Sequence, residues 1–318
     1  MDNKKRTIIL LSLLALISIA LYVFWGLNPK ILRYSFYIRV PRLIAIVIAG
    51  SAIALSSMLF QGVTQNRIIT PSIMGLDAIY GLVQTVVVFL FGSTSIVFTS
   101  KPVNFVVNCS LMLILAMILF KLVLKDGKNN IFFLLLVGTV IGTLFRSISS
   151  FMQVIIDPNE YDALYAKINA SFNLINKDIL LIVLAVVLII FALVYEEISK
   201  IEVISLGRDT AINLGVNYDK FTKKMLTFVS ILVSVATALV GPITFLGILV
   251  VNLTHELTKS YKYNLLIPVS ILISIIALVG GQFILERLLN FGGTISIIIN
   301  FVGGLYFIRL LLKEGKVW

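Results

Sequence analysis

Long apolar runs separated by short polar connections fill this sequence from end to end. The runs are continuous rather than alternating, so a transmembrane barrel is excluded. Each extends for roughly 18 to 25 residues, enough for an α-helix to cross ~30 Å of hydrocarbon at ~1.5 Å per residue. The pattern predicts about ten membrane helices, over 7–26, 43–61, 72–91, 103–124, 131–155, 179–195, 223–240, 243–252, 264–285 and 294–312. The eighth is short. Gly241-Pro242 closes the helix before it, and roughly ten residues reach only about 15 Å, half a bilayer. A half-length helix is tolerated in a membrane only where protein or a water-filled cavity satisfies its broken backbone. This segment is therefore expected to border a pathway or a partner contact.

One polar stretch is built differently from the other connections. Leu206-Gly207-Arg208-Asp209-Thr210-Ala211-Ile212-Asn213-Leu214-Gly215-Val216 reads as a short charged helix with a glycine turn at each end, inside a connection spanning 196–222. Leu206, Ala211, Ile212 and Leu214 give it apolar positions. A small amphipathic element protruding from a membrane domain needs a soluble partner to receive it. The candidates for that contact are Leu206, Gly207, Arg208, Asp209, Asn213, Leu214 and Gly215; the alternative is an ordinary solvated loop.

Composition agrees with the pattern: 318 residues, 59% hydrophobic and 13% charged, at a mean hydropathy of +1.06. No soluble domain of this size hides so much apolar surface, so the chain reads as an all-α polytopic membrane protein, one domain over 1–318. A net charge of +11 suggests nucleic acid only until the basic residues are placed. They lie in the connections, not on one face of a soluble domain. Lys4, Lys5, Arg6, Arg67, Lys121, Lys125, Lys128, Lys200, Arg208, Lys220, Lys223, Lys224, Lys259, Lys262, Arg309, Lys313 and Lys316 fall on one side. The smaller set, Lys30, Arg33, Arg39, Arg42, Lys101, Lys167, Lys177 and Arg287, falls on the other. The positive-inside rule puts both termini and 196–222 in the cytoplasm, with 27–42, 92–102, 156–178 and 286–293 outside. The 156–178 connection is polar enough for a short surface helix. Lys4-Lys5-Arg6 before a long apolar run without a small-x-small cleavage site reads as a first anchor, not a signal peptide.

Enzyme chemistry finds no foothold. One Cys (Cys109) and one His (His255) rule out a disulfide framework and make a metal site improbable. His255-Glu256 has no second His at zinc-protease spacing, and Gly127-Lys128 lacks the glycine cradle of an ATP site. Arg146, by contrast, stands mid-way along the fifth predicted helix, where an arginine costs about 2.5–3.5 kcal/mol even on the lenient insertion scale. Gly142, Arg146, Ser149, Ser150 and Gln153 share one helical face. Two compatible readings stand: a stripe lining a translocation path, or an ion pair between Arg146 and Asp77. Gln61, with Gln65 and Asn66, either gates the inner end of the second helix or simply satisfies it.

Three segments, taken together and in order, resemble the iron–siderophore/vitamin B12 (FecCD-type) permease family of ABC importers. The first is Arg39-Val40-Pro41-Arg42-Leu43-Ile44-Ala45, continuing through Ala49-Gly50-Ser51 to Gln61-Gly62, similar to the family's Arg-Leu-Pro-Arg opening of its second helix. The second is the polar island, with its paired Leu-Gly. The third is Gly241-Pro242-Ile243-Thr244-Phe245-Leu246-Gly247, similar to the family's Gly-x-Ile-x-Phe-x-Gly-Leu. The likeness extends over about residues 36–312. Asn66-Arg67-Ile68-Ile69-Thr70-Pro71-Ser72-Ile73-Met74-Gly75-Leu76-Asp77 is similar to the subgroup importing ferric catecholate, petrobactin or anguibactin-type siderophores. Two departures stand out: Val251-Asn252 where the family has Pro-His, and Ile295-Ser296-Ile297-Ile298 where it has Leu-Pro-x-Gly.

The resemblance implies the type II ABC importer permease fold in a bacterial plasma membrane, and a transport subunit rather than an enzyme. It implies as partners a second permease (identical or different), two ATPase subunits that use ATP-Mg, and an extracellular siderophore-binding lipoprotein. No cofactor bound by this chain is expected. Haem or cobalamin is the alternative cargo. Arg39, Arg42 and Arg287 would meet acidic side chains of the binding protein, as a guanidinium fork accepts a carboxylate bidentately. Their alternative is to anchor helix ends at lipid headgroups, with Arg287 paired to Glu286. The island would receive the ATPase, and the Arg146 stripe would offset the negative charge of a ferric siderophore. An ion-coupled secondary transporter would need several mid-helix carboxylates and matched broken helices; the sequence offers Asp77 and one broken segment.

Overall fold

The computed structural model describes residues 3–27, 30, 32–67, 69–123, 131–172, 175, 177–290 and 293–314, and no strand occurs among them. Lys125, Lys128, Lys316 and the Gly127-Lys128 pair lie outside these residues. The chain forms α1 (Asn3–Phe24), α2 (Leu32–Thr64), α3 (Asp77–Phe91), α4 (Ile96–Thr99), α5 (Lys101–Val123), α6 (Ile131–Ile155) and α7 (Pro158–Ile168). It continues through α8 (Lys177–Glu196), α9 (Ile198–Ile204), α10 (Arg208–Asn213), α11 (Tyr218–Val240), α12 (Leu246–Thr258), α13 (Tyr263–Arg287) and α14 (Ile295–Glu314). Among the described residues, seven helices are long and apolar enough to cross a membrane, and α12 and α14 add shorter apolar ones. The 25-residue α6 completes the predicted set.

The centre of the molecule is α2, buried almost without interruption from Ala45 to Thr64 and packed against α11 and α13. Lipid supplies no hydrophobic drive between helices, so close backbone approach and interhelical hydrogen bonds must hold them. Gly50 and Ser274 show both: Ser274 Oγ donates to Gly50 O at 2.9 Å. A Cβ on Gly50 would lie 2.9 Å from that same Oγ. Outward-facing leucines and isoleucines on α1, α8 and α14 remain exposed, as lipid-facing surfaces should be.

Four boundaries differ from the sequence reading. The 27–42 connection is mostly helix, because α2 starts at Leu32 and runs through Pro41. The polar side chains that argued for a loop there find partners within the fold. The third predicted helix is interrupted: a π-turn over Ser72–Leu76 contains Gly75 at φ +94°, and α3 begins only at Asp77. Next, α11 starts at Tyr218 rather than 223, capped by Asn217, whose side chain accepts from Lys220 N at 3.1 Å. The half-length helix exists but is displaced. Gly241, at φ +90°, ends α11, residues 241–245 stay non-helical, and α12 covers 13 residues from Leu246. The surface helix expected in 156–178 is α7, opened by Asp157 and Pro158.

Candidate transport site and contact surfaces

The two interruptions meet. At the π-turn, a Cβ on Gly75 would lie 2.6 Å from Gly142 Cα, and one on Gly142 would lie 2.8 Å from Gly75 Cα. One turn away, Gly138 would strike Met74 O at 3.1 Å. Glycines at 138 and 142 thus clear a groove on α6 into which the turn's backbone fits. The turn delivers Asp77 to the first position of α3, where a carboxylate suits the helix dipole. Asp77 is 8% exposed, and its Oδ2 accepts from Thr244 Oγ1 at 2.8 Å. Thr244 belongs to the 241–245 break, so one hydrogen bond joins the two irregular segments.

Asp77 makes no contact ion pair: its carboxylate takes Thr244, while Arg146, exposed on α6, stands near enough for its charge to act on it. The predicted five-residue stripe also divides. Gly142 packs on the π-turn, Ser149 is buried and donates to Phe145 O at 2.9 Å, and Gln153 Nε2 donates to Thr85 Oγ1 of α3 at 3.0 Å. A helical face of that width straddles the edge of the α3 contact, so half turns inward. The exposed polar set is Thr143, Arg146, Ser147 and Ser150. Thr143 and Ser147 were missed, although hydroxyls three before and one after an intramembrane arginine signal them.

Near the C-terminal end of α2, Gln61 is buried, with Oε1 3.1 Å from His255 Nε2. Gln65 donates to Ile204 O at 3.2 Å, and Asn252 donates to Arg67 O at 3.0 Å. These bonds tie α2, α9 and α12 together. Both departures from the family pattern carry bonds: Asn252 as above, and Ser296. Ser296 Oγ accepts from Ala170 N at 3.1 Å and donates to Pro242 O at 3.2 Å, joining the segment after α7 to the break.

The island is the six-residue α10, with Gly207 at φ +114° and Gly215 at φ +82°. Its apolar positions point two ways. Ala211 is fully buried, whereas Leu206, Ile212 and Leu214 are 65%, 50% and 61% exposed. Arg208 turns to Asp219 at 3.7 Å and stands over the Tyr218 ring, so it fastens the island to α11; Asp209 and Asn213 face solvent. Beneath it, Glu197 bridges Lys200 and Lys224, each at 2.7 Å. Those two ammonium groups, Lys200 first, hold its carboxyl below the ordinary 4.5. A depressed carboxylate contributes stability above its unfolded value and loses it as pH falls through the folded one. Protection of the Ile198–Ile204 amides, relative to their intrinsic exchange, is therefore expected to fall only below about pH 4.5 in the native chain. In Glu197→Gln that protection should be low already at neutral pH and insensitive to acid.

At the opposite ends of α1, α2 and α13, the three arginines work inward. Arg39 Nη1 donates to Val23 O at 2.6 Å and Trp25 O at 3.0 Å, and Arg287 Nη2 donates to Trp25 O at 2.8 Å. Cations here satisfy the orphan carbonyls of the α1 C-terminus. Glu286 pairs with Arg42 at 3.4 Å, not with Arg287. Tyr22 OH and Gln282 Nε2 complete its shell at 3.0 and 2.8 Å. Arginines are not surplus charges at this surface; they stitch three helices together.

Residues 7–313 match the FecCD transport family. The chain belongs to that family. It is 51% identical over 318 residues, all of both chains, to the petrobactin import system permease protein YclO of Bacillus subtilis. It is 32% identical over 276 residues, 87% of this chain and 78% of the other, to the petrobactin import system permease protein FatC of Bacillus anthracis. A solved inward-facing structure described as a metal-chelate type ABC transporter superposes with a TM-score of 0.85 at 21% identity, over 98% of this chain and 99% of that one. The family member described here thus has the ABC importer permease fold.

Proposed function

We propose that this chain is the membrane-spanning subunit of an ATP-driven importer of ferric siderophores of the petrobactin class. The observation that carries the reading is full-length identity of 51% to a petrobactin import permease. Two copies of the fold, this chain with itself or with a related permease, would enclose the path between them. The exposed Thr143, Arg146, Ser147 and Ser150 face of α6 supports that arrangement. A guanidinium without a contact counter-ion is costly against lipid and useful against an anionic chelate. No chemistry on the cargo is required of the pore, and no cofactor is assigned to this chain.

The motor is assigned to two separate ATPase subunits that use ATP-Mg, received at Leu206, Ile212 and Leu214. Both termini and α9–α10 then lie in the cytoplasm. Outside, an extracellular siderophore-binding lipoprotein would dock over the ends of α2 and α13. Arg39, Arg42 and Arg287 are partly exposed there. Rotation of the ATPases, felt through α10, would move the 241–245 break and the π-turn that it holds.

Uptake of radiolabelled ferric petrobactin by iron-starved cells, with and without this chain, tests the reading. Uptake restored by the chain is expected; restoration of a ferric hydroxamate or haem alone would overturn the cargo assignment. Arg146→Ala is expected to lower ferric-petrobactin uptake tenfold or more, with Arg146→Lys intermediate. Unchanged uptake in Arg146→Ala would remove Arg146 from the path.

A further inference from the structure

At one end of α5, α8 and α11, beneath α7, the helices part around a cavity of about 130 Å³. Its floor is apolar, built from Phe105, Ile179 and Leu239, and its rim carries the two lysines Lys101 and Lys167. Among the described residues, no aspartate or glutamate lines it. Lys167 is fixed by neutral groups alone: Nζ donates to the Phe98 carbonyl and lies 3.8 Å from the centroid of the Phe98 ring. Burial, and then the neighbouring Lys101 charge, pull its ammonium down from 10.5 to about 8. Hydrogen bonds fix the backbone around the cavity. Ser171 N holds Val240 O at 2.7 Å, Gly241 N holds Thr237 O at 2.7 Å, and Tyr80 OH holds the Lys167 carbonyl at 3.1 Å.

Two like charges around a half-closed cavity with an apolar floor are costly without a counter-charge. An anion entering between them would relieve the repulsion and accept charge-assisted hydrogen bonds. The floor adds a second requirement that a bare anion does not meet, because it offers hydrocarbon contact beside the charges. We propose that this cavity binds one phosphate group, carried by an anionic phospholipid whose acyl chains lie along Phe105, Ile179 and Leu239. Which leaflet supplies the lipid rests on the orientation proposed above; the binding does not.

The test uses the full-length chain purified with its partner permease and stripped of lipid in detergent. Native mass spectrometry would follow titration with dihexanoyl-phosphatidylglycerol, dihexanoyl-phosphatidylcholine and inorganic phosphate. Phosphatidylglycerol is expected to bind at least tenfold more tightly than phosphatidylcholine. Lys101→Gln and Lys167→Gln should each weaken it about tenfold, and Lys101→Arg should retain it. Phosphatidylglycerol binding unchanged in both glutamine variants would overturn the site. Inorganic phosphate binding as tightly as the lipid would overturn the lipid as its occupant. Should Lys167→Gln misfold through loss of its Phe98 contacts, Lys101→Gln still decides, since Lys101 is exposed at the first turn of α5. These readouts need no transport, so a failed cargo assignment leaves them interpretable.

Discussion

Serine in place of Leu206, Ile212 and Leu214 together is expected to abolish uptake while leaving the permease folded in the membrane. The three side chains are half or more exposed on a six-residue helix whose own core contact is Ala211. Nothing in the fold of this chain depends on them, so thermal stability should change little. A receiving subunit that buried them would lose on the order of 1.5–3 kcal/mol for each fully covered side chain. Even a total of ~3 kcal/mol is more than a hundredfold in affinity. The variant complex should therefore purify without its ATPase, and cells should lose ferric-siderophore uptake to background. Conversely, Ala211→Leu should destabilise the chain itself, because Ala211 has no exposed surface to expand into. ATPase co-purification and uptake both preserved in the triple-serine chain would dismiss α10 as the motor contact.

The second large effect is expected from Gly142→Leu. The new Cβ would stand 2.8 Å from Gly75 Cα, and that neighbour is backbone rather than a movable side-chain tip. Overpacking of this kind typically costs 1–3 kcal/mol, about as much again if the π-turn is driven off α6. Displacing the turn would carry Asp77 away from Thr244 and separate the two irregular segments. Loss of transport together with a lowered melting temperature is the expected outcome. Gly75→Ala should be similar, because φ +94° penalises any L side chain in addition to the 2.6 Å approach. Gly280→Ala serves as the control: its Cβ meets nothing within 4 Å, and both stability and uptake should be retained. A Gly142→Leu chain as stable and active as that control would mean the π-turn is not held by this contact.

Much of this architecture could be read in advance, and the reasons are local. Hydrocarbon thickness sets a helix length, so the runs announced their own number. Gly241-Pro242 marked the end of α11 because a residue at φ +90° followed by a missing N–H cannot continue a helix. The glycine pair of the island and the Asp157-Pro158 start of α7 are equally local signals. Misreadings arose where a distant partner settled the matter. Pro41 with two arginines looked like a loop, yet the carbonyls of Val23 and Trp25 and the carboxylate of Glu286 made that segment affordable as helix.

From the chain alone came the membrane class, the helix count, the half-length segment and the protruding island, because each depends on length, polarity or backbone permission within a few residues. Only the tertiary structure decided which side chains meet. It gave Glu286 to Arg42, gave Asp77 to Thr244, turned Gly142 and Gln153 inward, and left Arg146 facing out. A helical periodicity specifies an angle about an axis but not what lies across it. The neighbours that choose between inside and outside are brought there by contacts from about 70 to more than 240 residues apart.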